Sequence, residues 1–180
     1  MDSGSVRYTR TAQWLHWSMA AIWILSWALG ILATHWREAL NPAHGLTLLH
    51  KALASSLLIL IIVRVLWRLT HPAPPLPSQM SSLMQRAAHL GHALLYGVAL
   101  IALPLSGWYW SLVADKPILL LGLWQLPPLV MPDPTLYELA KMLHQWMAWG
   151  CGALVGGHVV VALKHHWIDK DTVLRSMLPQ

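Results

Sequence analysis

The sequence predicts an all-α integral membrane protein, a four-helix bundle with both termini in the cytoplasm, and three observations predict it. The chain of 180 residues is 56% hydrophobic and only 11% charged, where an ordinary soluble domain is roughly a quarter charged. Four stretches, 12–33, 46–69, 87–113 and 136–163, are apolar over the length of about 20 residues that a bilayer crossing requires. Lysine and arginine are unequally divided about them: Arg7, Arg10, Arg64, Arg68, Arg86, Lys164, Lys170 and Arg175 make eight on the terminal side, against four in Arg37, Lys51, Lys116 and Lys141. The positive-inside rule puts the richer side in the cytoplasm. One domain, residues 1–180, accounts for the length.

The elements follow in order. Arg7 and Arg10 precede the first apolar run, a signal-peptide pattern, but the run is longer than a signal h-region and has no convincing cleavage site, so it reads as the first span. Loop 34–45 leads to the second span. The connector His71-Pro72-Ala73-Pro74-Pro75-Leu76-Pro77 cannot continue a helix and is expected extended and in water. The third span is followed by loop 114–135, whose apolar patch 118–124 is too short to cross and is expected at the membrane interface. Acidic residues mostly fall outside (Glu38, Asp115, Asp133, Glu138), with Asp2, Asp169 and Asp171 inside.

Composition then points to chemistry. There are 12 Trp and 11 His but no Phe. Tryptophan suits bilayer interfaces, whereas so many histidines need another reason, because intramembrane ionisable groups are costly and mark function. The lone Cys151 excludes a disulfide framework, a CxxC redox pair and a Cys-rich metal site. With no CxxCH motif, any haem is held by axial ligands and packing alone.

Threading the chain in, out, in, out assigns each histidine a depth. His16 lies near the inner end of the first helix, His50 near the outer end of the second, and His89 and His92 in the first turns of the third. His144 and His158 share the fourth helix. Their separation of fourteen residues is about 40° short of four full turns and about 21 Å of rise, so one face offers imidazoles at two depths. The level partner of His144 is His50; that of His158 is His16, His89 or His92. Two imidazoles from facing helices are what bis-histidine haem ligation needs, and bundle interiors build such sites. Small residues beside them, Gly150, Gly152, Gly156 and Gly157 on the fourth helix and Ala52, Ala54, Ser55 and Ser56 on the second, leave room for a flat macrocycle; Gly152 and Gly156 also fit a small-xxx-small packing face. His35, His44, His71 and His166 fall outside the spans and are expected to be interfacial or solvated.

The pattern resembles the bacterial cytochrome b561 family of inner-membrane dihaem proteins. The likeness runs through Gln13-Trp14-Leu15-His16-Trp17, Leu49-His50-Lys51, Val63-Arg64-Val65-Leu66-Trp67-Arg68-Leu69 and Ala87-Ala88-His89-Leu90-Gly91-His92. It continues in Leu103-Pro104-Leu105-Ser106-Gly107, Lys141-Met142-Leu143-His144, and Gly157-His158 followed by Leu163-Lys164-His165-His166. The resemblance implies that His16 and His158 ligate a cytoplasmic-side haem b, and His50 and His144 a periplasmic-side one, leaving His89 and His92 as supporting or propionate-contacting groups. It further implies a multi-pass protein of the bacterial inner membrane that passes electrons from an outer donor through both haems to ubiquinone, with superoxide oxidase activity in one member.

Residue chemistry adds roles to that outline. Lys51 and Lys141, with Arg37, are placed to attract an anionic donor such as superoxide, although helix-end snorkelling would place lysines there too. Arg64, Arg68 and Arg86 are placed to pair haem propionates, since guanidinium forks match carboxylates. His165, close to two turns beyond His158, is placed to give protons to a quinone. Three alternatives stand beside a superoxide:ubiquinone oxidoreductase: an electron carrier only, a membrane subunit docking a redox partner protein such as a periplasmic dehydrogenase or hydrogenase, and a non-redox His-lined metal transporter. The spans hold almost no carboxylate to favour the last, and no nucleic-acid partner is expected.

Overall fold

A computed structural model describes residues 7–179; Asp2 and the two chain ends lie outside them. Four helices are long and apolar enough to cross a membrane: Arg10–His35 (α1), Gly45–Thr70 (α3), a third span over Ser82–Val113, and a fourth over Tyr137–Asp169. Each predicted span is therefore present, the third beginning five residues early and the fourth ending six late. Ser81 explains the early start, because its hydroxyl caps the Met84 N–H at 3.3 Å. Thr9 caps α1 in the same way through Ala12.

The third span changes register on its way across: α4 (Ser82–Leu94) passes into a π-helical segment, Leu95–Ala102, and then α5 (Leu103–Val113). Pro104 is the physical reason. It has no N–H to return to the preceding turn, and the Ala99 carbonyl, which a π-register bond from residue 104 would reach, instead accepts the Trp23 indole N–H at 3.0 Å. That bond ties the third span to α1 at the centre of the bundle, where Met19, Trp23, Leu57, Ile61, Ala99, Leu103 and Cys151 form the buried core.

Beyond that core the bundle is apolar outward. Ile24, Leu25, Ile62, Leu66 and Val160 are all exposed, an arrangement that water would oppose and hydrocarbon satisfies.

One end carries the loops. The short helix α2 (Arg37–Leu40) leads to buried Asn41, whose amide bonds Thr47 and the Ala33 carbonyl while its oxygen takes the Leu46 N–H. The patch expected at the interface forms a small antiparallel hairpin, β1 (Leu119–Leu120) with β2 (Trp124–Gln125). It is folded onto α3: the Leu121 N–H reaches Ser55 Oγ, and Ile118 is buried. Entry to α6 (Tyr137–Lys164) is set by Asp133, whose carboxylate accepts the Thr135 hydroxyl and N–H; those bonds hold it below the usual carboxylate range.

The other end carries the start of α1 and the last described residues. After a π turn, His165–Asp169, the short helix α7 (Val173–Met177) lies against the start of α1, where Gln13 Nε2 donates to the Ser176 carbonyl and Trp17 Nε1 to that of Met177.

Candidate dihaem site

Two pairs of imidazoles face each other inside the bundle, one at each end. At the hairpin end, His50 of α3 and His144 of α6 have ring centroids 6.3 Å apart at 71°. At the terminal end, His16 of α1 and His158 of α6 are 6.2 Å apart at 66°. Two imidazoles on opposite sides of one metal, with nitrogen–metal bonds of about 2.0–2.1 Å and ring nitrogens about 1.1 Å from their centroids, are separated by about 6.2–6.4 Å. Both pairs therefore have the spacing of trans ligands to a shared metal.

The hairpin-end pair is also aimed. His50 Nδ1 lies 2.7 Å from the Ser26 carbonyl and donates to it. His144 Nδ1 lies 2.9 Å from Ser106 Oγ, whose own proton goes to the Leu103 carbonyl, so the hydroxyl oxygen is left to accept. In both rings Nε2 is then the free lone pair, the tautomer that a metal requires.

Glycine makes room for each of these rings. A Cβ on Gly30 would stand 3.1 Å from the His50 ring, and one on Gly107 only 2.9 Å from that of His144. The small residues expected to leave room beside the histidines fall into three settings. Ala54 and Ser55 line the cavity beside His50, but a Cβ on Gly152 would meet Trp27 at 2.6 Å, so Gly152 receives an indole. Gly150, Gly156 and Gly157 meet nothing within 4 Å.

That cavity measures about 660 Å³ and reaches the surface beside α2 and the hairpin, within the size range of small-molecule sites. Arg37, Lys51, Lys116 and Lys141 line it, together with His35 and His44, and no carboxylate does. Lys51 Nζ donates to the Lys116 carbonyl at 3.3 Å, while Lys141 pairs with exposed Glu138 at 3.2 Å. The Trp108 and Trp110 indole N–H groups are buried here without an acceptor. Cations that outnumber the one paired carboxylate, and orphaned donors beside a greasy, glycine-cut slot, fit an amphipathic dianion such as haem b, whose propionates could supply the missing acceptors. Lys116, Trp108, Trp110, Gly30 and Gly107 escaped the sequence reading. Only the Gly107 position, one residue after Ser106 in a quoted motif, offered a signal.

The terminal-end pair is held differently. His16 packs edge-on against Trp17 at 5.2 Å. A third imidazole, His92, approaches His158 at 5.5 Å and 85°, with Nδ1 bound to the Ala88 carbonyl at 2.7 Å. His89 is exposed and is not brought to the pair. Of the three arginines expected near propionates, Arg64 is half-buried and bonds Tyr96 at 2.6 Å, Arg68 lies 5.5 Å over the Tyr8 ring, and Arg86 is exposed. His165 is buried, with Nδ1 2.6 Å from Asp171 and 3.1 Å from Asp169. His71 stacks on Trp67 at 3.8 Å, and His166 is half-buried.

Known proteins give this geometry a context. The family profile described as prokaryotic cytochrome b561 matches residues 7–180. Cytochrome b561 homolog 2 of Escherichia coli strain K12 is 36% identical over 177 residues, spanning 96% of this chain and 91% of that protein. A probable superoxide oxidase, CybB, of Yersinia pestis is 26% identical over 92% of each chain. Cytochrome b561 homolog 1 of the same Escherichia coli strain is 25% identical over 97% of this chain and 98% of that protein.

Proposed function

Because this chain belongs to the prokaryotic cytochrome b561 family, a family of membrane electron-transfer proteins, we propose that it conducts electrons across the bacterial inner membrane from superoxide, at the hairpin end, to ubiquinone, at the terminal end. The observation that carries the reading is the pair of imidazole pairs at metal-bridging separation, 6.2 and 6.3 Å, at two levels of one bundle. In it, His50 and His144 hold one haem b and His16 and His158 the other. A haem held by each pair would supply a one-electron couple.

The chain's own residues do the rest. Ser26 and Ser106 fix the orientation of the outer imidazoles, which would hold a haem there without reorienting. The buried apolar core, with Trp23, Leu57, Ile61 and Leu103, packs the centre of the bundle. At the mouth, Lys51, Lys116, Lys141 and Arg37 give a field of one sign that draws in a small anion and repels cations. A neutral hydride carrier would gain nothing from it. The charge distribution of the loops supports a cytoplasmic terminal end, where a quinone being reduced finds its protons.

The test is stopped-flow mixing of superoxide with the purified, oxidised protein, followed by a water-soluble ubiquinone. Haem reduction by superoxide and reoxidation by quinone support the reading. If superoxide leaves the haems oxidised while dithionite reduces both, the donor assignment fails and the electron wire stands.

A further inference from the structure

We propose that Asp171 is a positioning residue for quinone reduction, holding the buried His165 imidazole through Nδ1 so that Nε2 is the group that delivers protons. This rests on the quinone reading above. The chain is folded around one side chain. His165 is 6% exposed, and Asp171 Oδ2 stands 2.6 Å from its Nδ1.

The backbone is shaped to bring that carboxylate back. The π turn His165–Asp169 ends in Lys170 at φ 55°, and the N–H groups of Lys170 and Asp171 both return to the His165 carbonyl. A non-glycine residue held left-handed has a conformational cost, offset here by contacts on both sides of Asp171. The second Asp171 oxygen accepts the Val173 N–H at 2.9 Å and so begins α7. In turn α7 is fastened to α1 through Gln13 and Trp17, and Arg7 donates to the Arg175 and Leu178 carbonyls. The clasp thus locks the carboxylate, and the carboxylate locks the ring.

The other charged neighbours single out Asp171. Asp169 also lies 3.1 Å from Nδ1, but both of its oxygens are taken by Lys164 Nζ at 2.6 and 2.7 Å. His165, Asp169 and Asp171 are close enough together to hold a metal ion. The Lys164 ammonium already stands against that cluster as its cation, which leaves an imidazole–carboxylate pair whose business is protons.

Reducing a quinone to a quinol takes two electrons and two protons. His165 lies seven residues past His158, about 10 Å nearer the terminal end and on nearly the same helix face. Its Nε2 proton passes to a quinone carbonyl oxygen, an O–H bond forming as the N–H bond breaks, and is replaced from cytoplasmic water before the second transfer. Asp171 keeps Nδ1–H in place throughout and compensates the charged ring, the task a buried carboxylate performs for a general-acid histidine elsewhere.

The experiment compares wild type, Asp171→Asn, Asp171→Glu and His165→Gln as purified haem-loaded proteins. Pre-reduced haems are mixed with a short-chain ubiquinone in H2O and D2O, and ¹⁵N-imidazole NMR reports the tautomers. Asp171→Asn should slow haem reoxidation about tenfold or more, enlarge the solvent isotope effect and mix the His165 tautomers, with the reduced haem spectrum unchanged. Asp171→Glu should recover most of the rate. An Asp171→Asn rate equal to wild type, alongside a slow His165→Gln, overturns the role of Asp171 and leaves the quinone reading standing. A slow Asp171→Asn with an unchanged isotope effect and unaltered tautomer also overturns it, since that is loss of the clasp alone. If quinone fails to reoxidise wild type, the quinone reading itself falls.

Discussion

Gly107 lies against the His144 ring so closely that a methyl group there would stand 2.9 Å from Cε1 and 3.3 Å from Nδ1. The ring cannot yield without leaving Ser106, whose hydroxyl sits on the same nitrogen at 2.9 Å. On the proposed dihaem reading, Gly107→Ala should therefore displace the imidazole and cost the purified protein most of its hairpin-end haem while sparing the other. A haem-to-protein ratio falling from two toward one, with a single redox wave remaining, is the expected outcome; two unchanged waves would count against His144 as a ligand.

The cationic mouth makes a prediction about rate rather than about affinity for haem. Single Gln substitutions of Lys51, Lys116 and Lys141 should each lower the second-order rate of haem reduction by an anionic donor by a few-fold at low salt. The losses should shrink as ionic strength rises past about 0.1 M, where the Debye length falls to about 10 Å. Lys141 should matter least, because Glu138 already partners it at the exposed rim. Equal rates at all salt concentrations would show that the donor is not steered by charge.

How much of this was legible beforehand depended on the period of each signal. The spans, and the fourteen-residue step from His144 to His158, follow from helix geometry alone and are present in α6. The hairpin over α3 was missed because Ile118 and its neighbours give an apolar run with no alternation, and its turn sets Leu121 at φ 53° beside Gly122 at φ 74°, where a leucine gives no warning of a left-handed residue. The π segment before Pro104 was missed because the proline's lost bond is answered by Trp23, 81 residues away in sequence. The choice among His16, His89 and His92 needed three dimensions for the same reason: depth alone does not tell which helix faces which.

Trp27 and Gly152 give a stability prediction. The indole stacks on Trp23 at 6.2 Å and 12°, donates to the Ala148 carbonyl at 2.8 Å, and fills the notch at Gly152. Gly152→Val drives two methyl groups into a ring held on both sides, so overpacking of about 1–3 kcal/mol is expected. Thermal unfolding in detergent should fall by several degrees. Trp27→Leu in the same background should recover part of the loss, which a helix-propensity effect of valine alone would not allow.

In the proposed dihaem reading, the terminal-end ligand set is open to a direct contest between His16 and His92. His16 meets His158 at 6.2 Å, the separation of two rings sharing one metal, whereas His92 meets it at 5.5 Å and edge-on, too near for a metal between the two. Its Nδ1 is fixed by the Ala88 carbonyl, an anchor that suits a ring contacting the rim of a bound group. His16→Ala should then abolish the terminal-end haem and leave a protein with one haem. His92→Ala should retain both haems and shift the potential of one, since loss of a nearby polar group alters the charge balance around the iron without removing a ligand. Imidazole added to the growth medium should restore the second haem to His16→Ala, because it fills the vacated axial place, and should do nothing for His92→Ala. If His92→Ala is the variant that loses the haem and responds to imidazole, His92 is the ligand and His16 the neighbour.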